Sequence, residues 1–138
     1  MIFVDTSAFI ARYVERDQYH AEAVDHWRQL RQDHRRCFTS NFVLDETFTL
    51  LARQTTYEFA ATRAQQVLQS QALTIWRPSL EDERAAVDFF RQFADQRVSF
   101  TDCVSFVLMR QNHLSQAFTF DRHFALAGFV NEPSVVTR

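Results

Sequence analysis

The chain opens Met1-Ile2-Phe3-Val4-Asp5-Thr6-Ser7. Four apolar residues run into an acid, and apolar positions at helical spacing follow, so the segment predicts a strand over residues 1–4 that turns straight into a helix. Ala117-Phe118-Thr119-Phe120-Asp121 has the same form, a strand over 117–120 closed by an acid. Between the two, short apolar runs alternate with longer helical patterns, the signature of a parallel sheet covered by helices. Further strands are predicted over 37–39, 74–77 and 134–137. Helical stripes are carried by Ala23, Val24, Trp27 and Leu30, by Ala60, Ala64, Val67 and Leu68, and by Val87, Phe90, Phe93 and Ala94, each expected to face the core. The expected fold class is α/β, with a central, mainly parallel sheet of five strands.

With 138 residues, 46% of them hydrophobic and 15 of them phenylalanine, the chain suits one compact domain over 1–138. No repeat, low-complexity segment or linker composition marks a boundary within it. The only glycine is Gly128 and the only prolines are Pro78 and Pro133, which excludes Gly-rich phosphate loops and the nucleotide chemistry they serve. A net charge of -2 gives no overall basic field, although Arg28, Arg31, Arg35 and Arg36 form a local basic run. Cys37 and Cys103 offer neither a disulfide framework nor zinc-site spacing, which points to reduced thiols. Asp5 cuts the N-terminal apolar run too short for a signal peptide, and no stretch approaches the roughly 20 apolar residues of a membrane helix. A soluble cytoplasmic domain with no membrane partner is expected.

Four carboxylates stand where a carboxylate is costly. Asp5 closes the first strand, Glu46 interrupts an apolar helical arc between Phe42 and Leu50, Asp102 opens the apolar stretch Cys103 to Met109, and Asp121 ends the strand at 117–120. A buried anion costs several kcal/mol unless it is paired or bound to a metal. Each acid alone has an ordinary explanation. Asp5 suits a helix N-cap, a role Thr6 or Ser7 also fits. Asp121 suits a turn. Glu46 suits the margin of a stripe with its head in water. Asp102 suits a first helical turn capped by Thr101. Together they suit a hard cation such as Mg²⁺ or Mn²⁺, which takes oxygen ligands from several elements. Asp5 and Asp121 also fall at strand ends, where parallel sheets hold their ligands.

These segments carry a resemblance. Ile2-Phe3-Val4-Asp5-Thr6-Ser7, Phe42-Val43-Leu44-Asp45-Glu46, Ser99-Phe100-Thr101-Asp102 and Phe118-Thr119-Phe120-Asp121-Arg122-His123-Phe124 match, in order, the four acidic motifs of the PIN-domain ribonucleases, and the whole chain most resembles the VapC-type toxins of type II toxin–antitoxin pairs. The resemblance implies a PIN-like α/β/α sandwich and an Mg²⁺-dependent endoribonuclease, with Mn²⁺ as a possible substitute. Asp5, Glu46, Asp102 and Asp121 are then both the metal ligands and the catalytic set, and metal-activated water cleaves RNA phosphodiester bonds. It also implies a cognate antitoxin, whose tail Phe9, Tyr13 and Phe48 are candidates to receive, with core packing the ordinary role of Phe9 and Phe48, and a homodimer paired through helices beside the site. The alternative is a PIN-fold RNA-processing nuclease or a non-catalytic binding module outside any toxin–antitoxin pair.

Some members of the family carry a further acid two residues after the fourth; here that position is His123, which leaves the number of metal ions open. His20, His26, His34 and His113 are expected at the surface, and Ser7 and Thr119 are minor candidates for support of the site through their hydroxyls. Arg35, Arg36 and Arg122 are candidates for backbone phosphates, with solvated surface charge as the ordinary alternative.

Overall fold

The computed structural model describes residues 1–134. Five strands, β1 (Ile2–Val4), β2 (Cys37–Ser40), β3 (Leu73–Trp76), β4 (Gln116–Phe118) and β5 (Val130–Glu132), form one sheet in the order β3-β2-β1-β4-β5. Every pairing is parallel, with Phe3 opposite Phe38 on one side and opposite Ala117 on the other. The connections are α1 (Thr6–Tyr13) and α2 (His20–Gln32), α3 (Asn41–Gln54) and α4 (Tyr57–Gln69), α5 (Leu80–Gln92) and α6 (Phe100–Gln111), and the short α7 (His123–Leu126). The chain steps outward from β1 through β2 to β3, then returns across the sheet to β4. Because such crossovers are right-handed, α1–α4 cover one face and the returning helices the other.

Helix starts are fixed by side-chain caps. Asp5, Ser40, Thr56, Ser79 and Ser99 each accept a backbone N–H from the first turn of the helix that follows. The cap of α6 is Ser99 rather than Thr101, so Asp102 falls at the third helical position and its own N–H donates to Ser99 Oγ at 3.1 Å. From Asp102 to Met109 every residue of α6 is buried, which makes this helix the spine of its layer. Phe106 sits fully buried at its centre with the rings of Phe89, Phe93 and Phe124 edge-on around it.

Strands β1, β2, β3 and β4 lie within two residues of the expected ranges at either end. The fifth does not. The expected strand over 134–137 is replaced by β5 at Val130–Glu132; Ser134 has no regular structure and 135–138 lie outside the described residues. β5 is a short edge strand without a buried apolar run, held by pairing with β4 and by Glu132, whose carboxylate takes Arg35 at 2.6 Å and His26 at 3.3 Å. The stripe on α5 is displaced too. Ala86 is buried with Phe89 and Phe93 packed beside it, whereas Val87 and Phe90 are 40% and 47% exposed. Leu68 of α4 likewise faces outward.

Candidate active site

The strand order reverses between β1 and β4, so the crevice beyond their carboxyl ends is where an open parallel sheet holds a ligand. Asp5 follows β1 there, and Asp121 lies just past β4. The second turn of α3 delivers Glu46 and the first turn of α6 delivers Asp102, so acids 116 residues apart in the chain line one cleft of about 670 Å³. All four expected acids are brought together. Asp45, by contrast, is exposed.

Asp5 and Asp102 are buried, while Glu46 and Asp121 are partly open to solvent. The Asp5 carboxylate is held by hydroxyls: Thr119 Oγ1 donates to Oδ2 at 2.9 Å and Ser7 Oγ at 3.0 Å. Those two hydroxyls also touch each other at 3.1 Å, and they accept the backbone N–H groups of Asp121 and Phe120. Ser7 and Thr119 therefore matter more than their sequence context suggests. A serine and a threonine near strand ends are ordinary, and only the pairing of β1 with β4 brings the two onto one carboxylate.

His123 continues the network. Its Nδ1 is 3.2 Å from Asp121 Oδ1 and 3.3 Å from Asp102 Oδ2, and its N–H donates to Asp121 Oδ1 at 2.9 Å. One ligand atom each from Asp102, Asp121 and His123 lies within 4.8 Å of the other two, a grouping suited to a cation.

The electrostatics show what the cleft lacks. Burial pushes the Asp5 carboxyl up to about 6, reinforced by the charge of Asp121 and opposed by the Thr119 and Ser7 bonds. Burial pushes Asp102 to about 9, with the charges of Asp5, Asp121 and Glu46 adding to it. Asp5 Oδ1 is buried without a hydrogen-bond partner. A buried carboxylate oxygen with no donor, among acids that raise one another's pKa, fits a site completed by a divalent cation.

Other expected residues are placed differently. Arg35 does not line this cleft: its guanidinium bonds Glu132 of β5 and Gln116 of β4. Arg36 lies over the ring of Phe38, and Arg122 does line the cleft. His26 and His20 are not free surface groups. His26 packs edge-on against Phe118 beside Glu132, and His20 Nδ1 contacts the Ala11 carbonyl at 2.7 Å. Arg97 also lines the cleft, a role that nothing in its sequence context announces.

A model of the PIN domain matches residues 2–130. The chain belongs to the PIN domain family. Within it the chain is of the VapC toxin type, and its activity class is endonuclease, the metal-dependent hydrolysis of phosphodiester bonds. It is 34% identical over 130 residues to the 23S rRNA-specific endonuclease VapC20 of Mycobacterium tuberculosis, in both strain CDC 1551 / Oshkosh and strain ATCC 25618 / H37Rv, covering 94% of this chain and 96% of the relative. The crystal structure of the Mycobacterium tuberculosis VapC20, described as a sarcin–ricin loop cleaving toxin, superposes with a TM-score of 0.84 at 32% identity over 94% of this chain and 97% of that one. A PIN-like α/β/α sandwich is thus the fold of this chain as well. No helix of the described residues is long and apolar enough to cross a membrane.

Proposed function

We propose that this chain is a single PIN domain whose Asp5, Glu46, Asp102 and Asp121 hold Mg²⁺, or Mn²⁺ in its place, and cleave RNA as the toxin of a cytoplasmic toxin–antitoxin pair. The observation that carries the reading is the convergence of the four acids on one cleft, with Asp5 Oδ1 lacking a donor and Asp102 pushed to about 9. When bound, a divalent cation supplies positive charge to the phosphate and acidity to a coordinated water. The chain's own part is positional. Ser7 and Thr119 fix the Asp5 carboxylate so that its other oxygen is left for the ion, and His123 orients Asp102 and Asp121 from the far side. A carboxylate of the set that touches water rather than metal accepts its proton.

The relatives' likeness over nearly the whole chain supports a ribosomal RNA loop as the target. An antitoxin is supported by a second cavity of about 280 Å³, whose floor includes Phe9, Leu30, Val67 and Leu73 and whose rim carries Arg12, Arg31, Arg35 and Arg63 with no acid in the lining. An acidic segment bearing apolar side chains fits that combination. Tyr13 lines this cavity rather than the acidic cleft, and Phe9 and Phe48 take the core packing that is their ordinary role, although Phe9 also reaches the cavity floor. A homodimer is supported by the exposed Leu80, Val87 and Phe90 of α5, which leave apolar area for a second copy to cover.

Purified protein incubated with ribosomal RNA and Mg²⁺ tests the reading. Cleavage that disappears with EDTA and in both Asp5→Asn and Asp102→Asn supports it; cleavage undiminished in either variant removes these acids from the chemistry.

A further inference from the structure

The acidic cleft has an aromatic wall that a metal site does not need. Tyr19 and Phe120 both line it, with ring centroids 4.7 Å apart and planes 4° from parallel. Phe120 is fixed from behind. Its ring meets that of Phe118 edge-on at 6.1 Å, and its N–H donates at 2.9 Å to Ser7 Oγ, the same hydroxyl that donates to Asp5. Tyr19 is fixed from its own side, where its N–H donates to Asp17 Oδ1 at 2.8 Å just before α2 begins. The aromatic pair is therefore tied to the carboxylate cluster through short bonds. Tyr19 is half-buried, and among the described residues Phe120 is the only ring that stacks on it.

Two arginines share this cleft. Arg97 and Arg122 are exposed, and neither forms an ion pair among the described residues although Asp5, Asp17, Glu46, Asp102 and Asp121 line the same space. Arg97 follows the short turn Ala94–Gln96 at φ 57, a left-handed conformation that it shares with His34 and His113. With five acidic side chains against two guanidinium groups, the cleft offers a phosphate backbone little net attraction until a cation enters. Contacts that carry no charge then add to what the cation and the two arginines offer, and an aromatic face supplies one, because every base has a π-face.

We propose that Tyr19, backed by Phe120, is the platform on which the base beside the scissile phosphate stacks, with Arg97 and Arg122 taking the flanking phosphates. This rests on the ribonuclease reading above and adds the residue that positions the strand. A base inside a helix has both faces covered by its neighbours, so the platform selects a nucleotide already lifted out of its stack.

The test uses Asp102→Asn protein with Mg²⁺, so that RNA is bound without being cut, and a short single-stranded oligoribonucleotide carrying 2-aminopurine, or an abasic site, at one position at a time. Stacking on Tyr19 predicts fluorescence quenching at one position, and an abasic site there should weaken binding by roughly 5- to 100-fold. Adding Tyr19→Leu should produce the same loss, abolish the quenching and make binding indifferent to that abasic site, while Tyr19→Trp restores both. Melting of each variant checks that the fold is intact. Equal affinity with Tyr19→Leu overturns the platform, as do abasic penalties that persist undiminished in it. So does the absence of any position-specific quenching in the parent protein, which requires no Tyr19 variant to fold. Wild-type cleavage of unmodified RNA is scored separately: RNA cut and bound without the stacking signature removes the platform alone, whereas RNA neither cut nor bound removes the nuclease reading with it.

Discussion

Replacing Asp102 by asparagine should make the metal-free protein more stable while it disables the site. Asp102 is 5% exposed and its carboxyl is pushed from 3.8 to about 9, first by burial and then by Asp5, Asp121 and Glu46. At pH 7 the native side chain keeps its proton and the unfolded one has lost it. Folding must restore that proton across about three pH units, which at about 1.4 kcal/mol per unit costs about 4 kcal/mol. Asparagine has nearly the same shape and no proton to recover, although a buried amide that is imperfectly paired offsets about 1–3 kcal/mol of the gain. The net stabilisation is about 1–3 kcal/mol, or a rise in Tm of roughly 3–9 °C for a chain of this size. The sign fixes the pH dependence. Between 3.8 and about 9 the native state binds more protons than the unfolded one, so wild-type stability falls as pH rises through that window, and the variant escapes Asp102's share of the fall. Thermal unfolding of both proteins in EDTA, followed by circular dichroism at several pH values, should show the variant melting below wild type near pH 4, where only the amide cost remains, and increasingly above it as pH climbs toward 9. Added Mg²⁺ should then raise the wild-type Tm more than the variant's. A variant less stable than wild type throughout the window, or a gap that does not widen with pH, refutes the reasoning.

Thr119→Val removes the donor to Asp5 Oδ2 and the acceptor for the Asp121 N–H, so it should cost about 1–3 kcal/mol in urea unfolding. Because the Thr119 bond lowers the Asp5 pKa, its loss should also shift the pH midpoint of Mn²⁺ binding upward in a calorimetric titration. Phe106→Ala empties the centre of the α6 layer and should cost about 3–5 kcal/mol in the same unfolding assay, with no pH dependence of its own. Arg35→Ala should lower stability by about 1–3 kcal/mol through the loss of its Glu132 and Gln116 bonds while leaving RNA cleavage unaltered, because that guanidinium belongs to the β4–β5 edge rather than to the cleft.

What the sequence made legible was the part governed by burial. β1 is wholly apolar and β4 ends in Ala117 and Phe118, so an acid soon after each stands out against the apolar run before it. Glu46 and Asp102 were legible for the same reason, as acids set in or against apolar helical arcs. What stayed hidden depends on partners far away in the chain. β5 has only three residues, two of them polar, and owes its place to β4 and to the Arg35–Glu132 pair. On α5 the expected Phe93 does face inward, but Ala86 and Phe89 take the places expected of Val87 and Phe90 and Ala94 is exposed, because packing of Phe89 and Phe93 against Phe106 sets the helix's rotation. Ser7, Thr119 and Arg97 carry no local mark. Their roles arise when strand ends 112 residues apart meet at the Ser7–Thr119 contact.

The switch point between β1 and β4 also sets a schedule. Asp5 leaves the ribosome early, but the strand that flanks it on the other side, and with it Thr119 and Asp121, is translated more than a hundred residues later. At ordinary synthesis rates of about 5–20 residues per second, that interval is on the order of ten seconds. Throughout it the emerging chain owns some of the four acids and no cleft. A nuclease assembled in this order has no working site while the ribosome is making it, and each new copy gains one only once β4 has emerged and paired with β1.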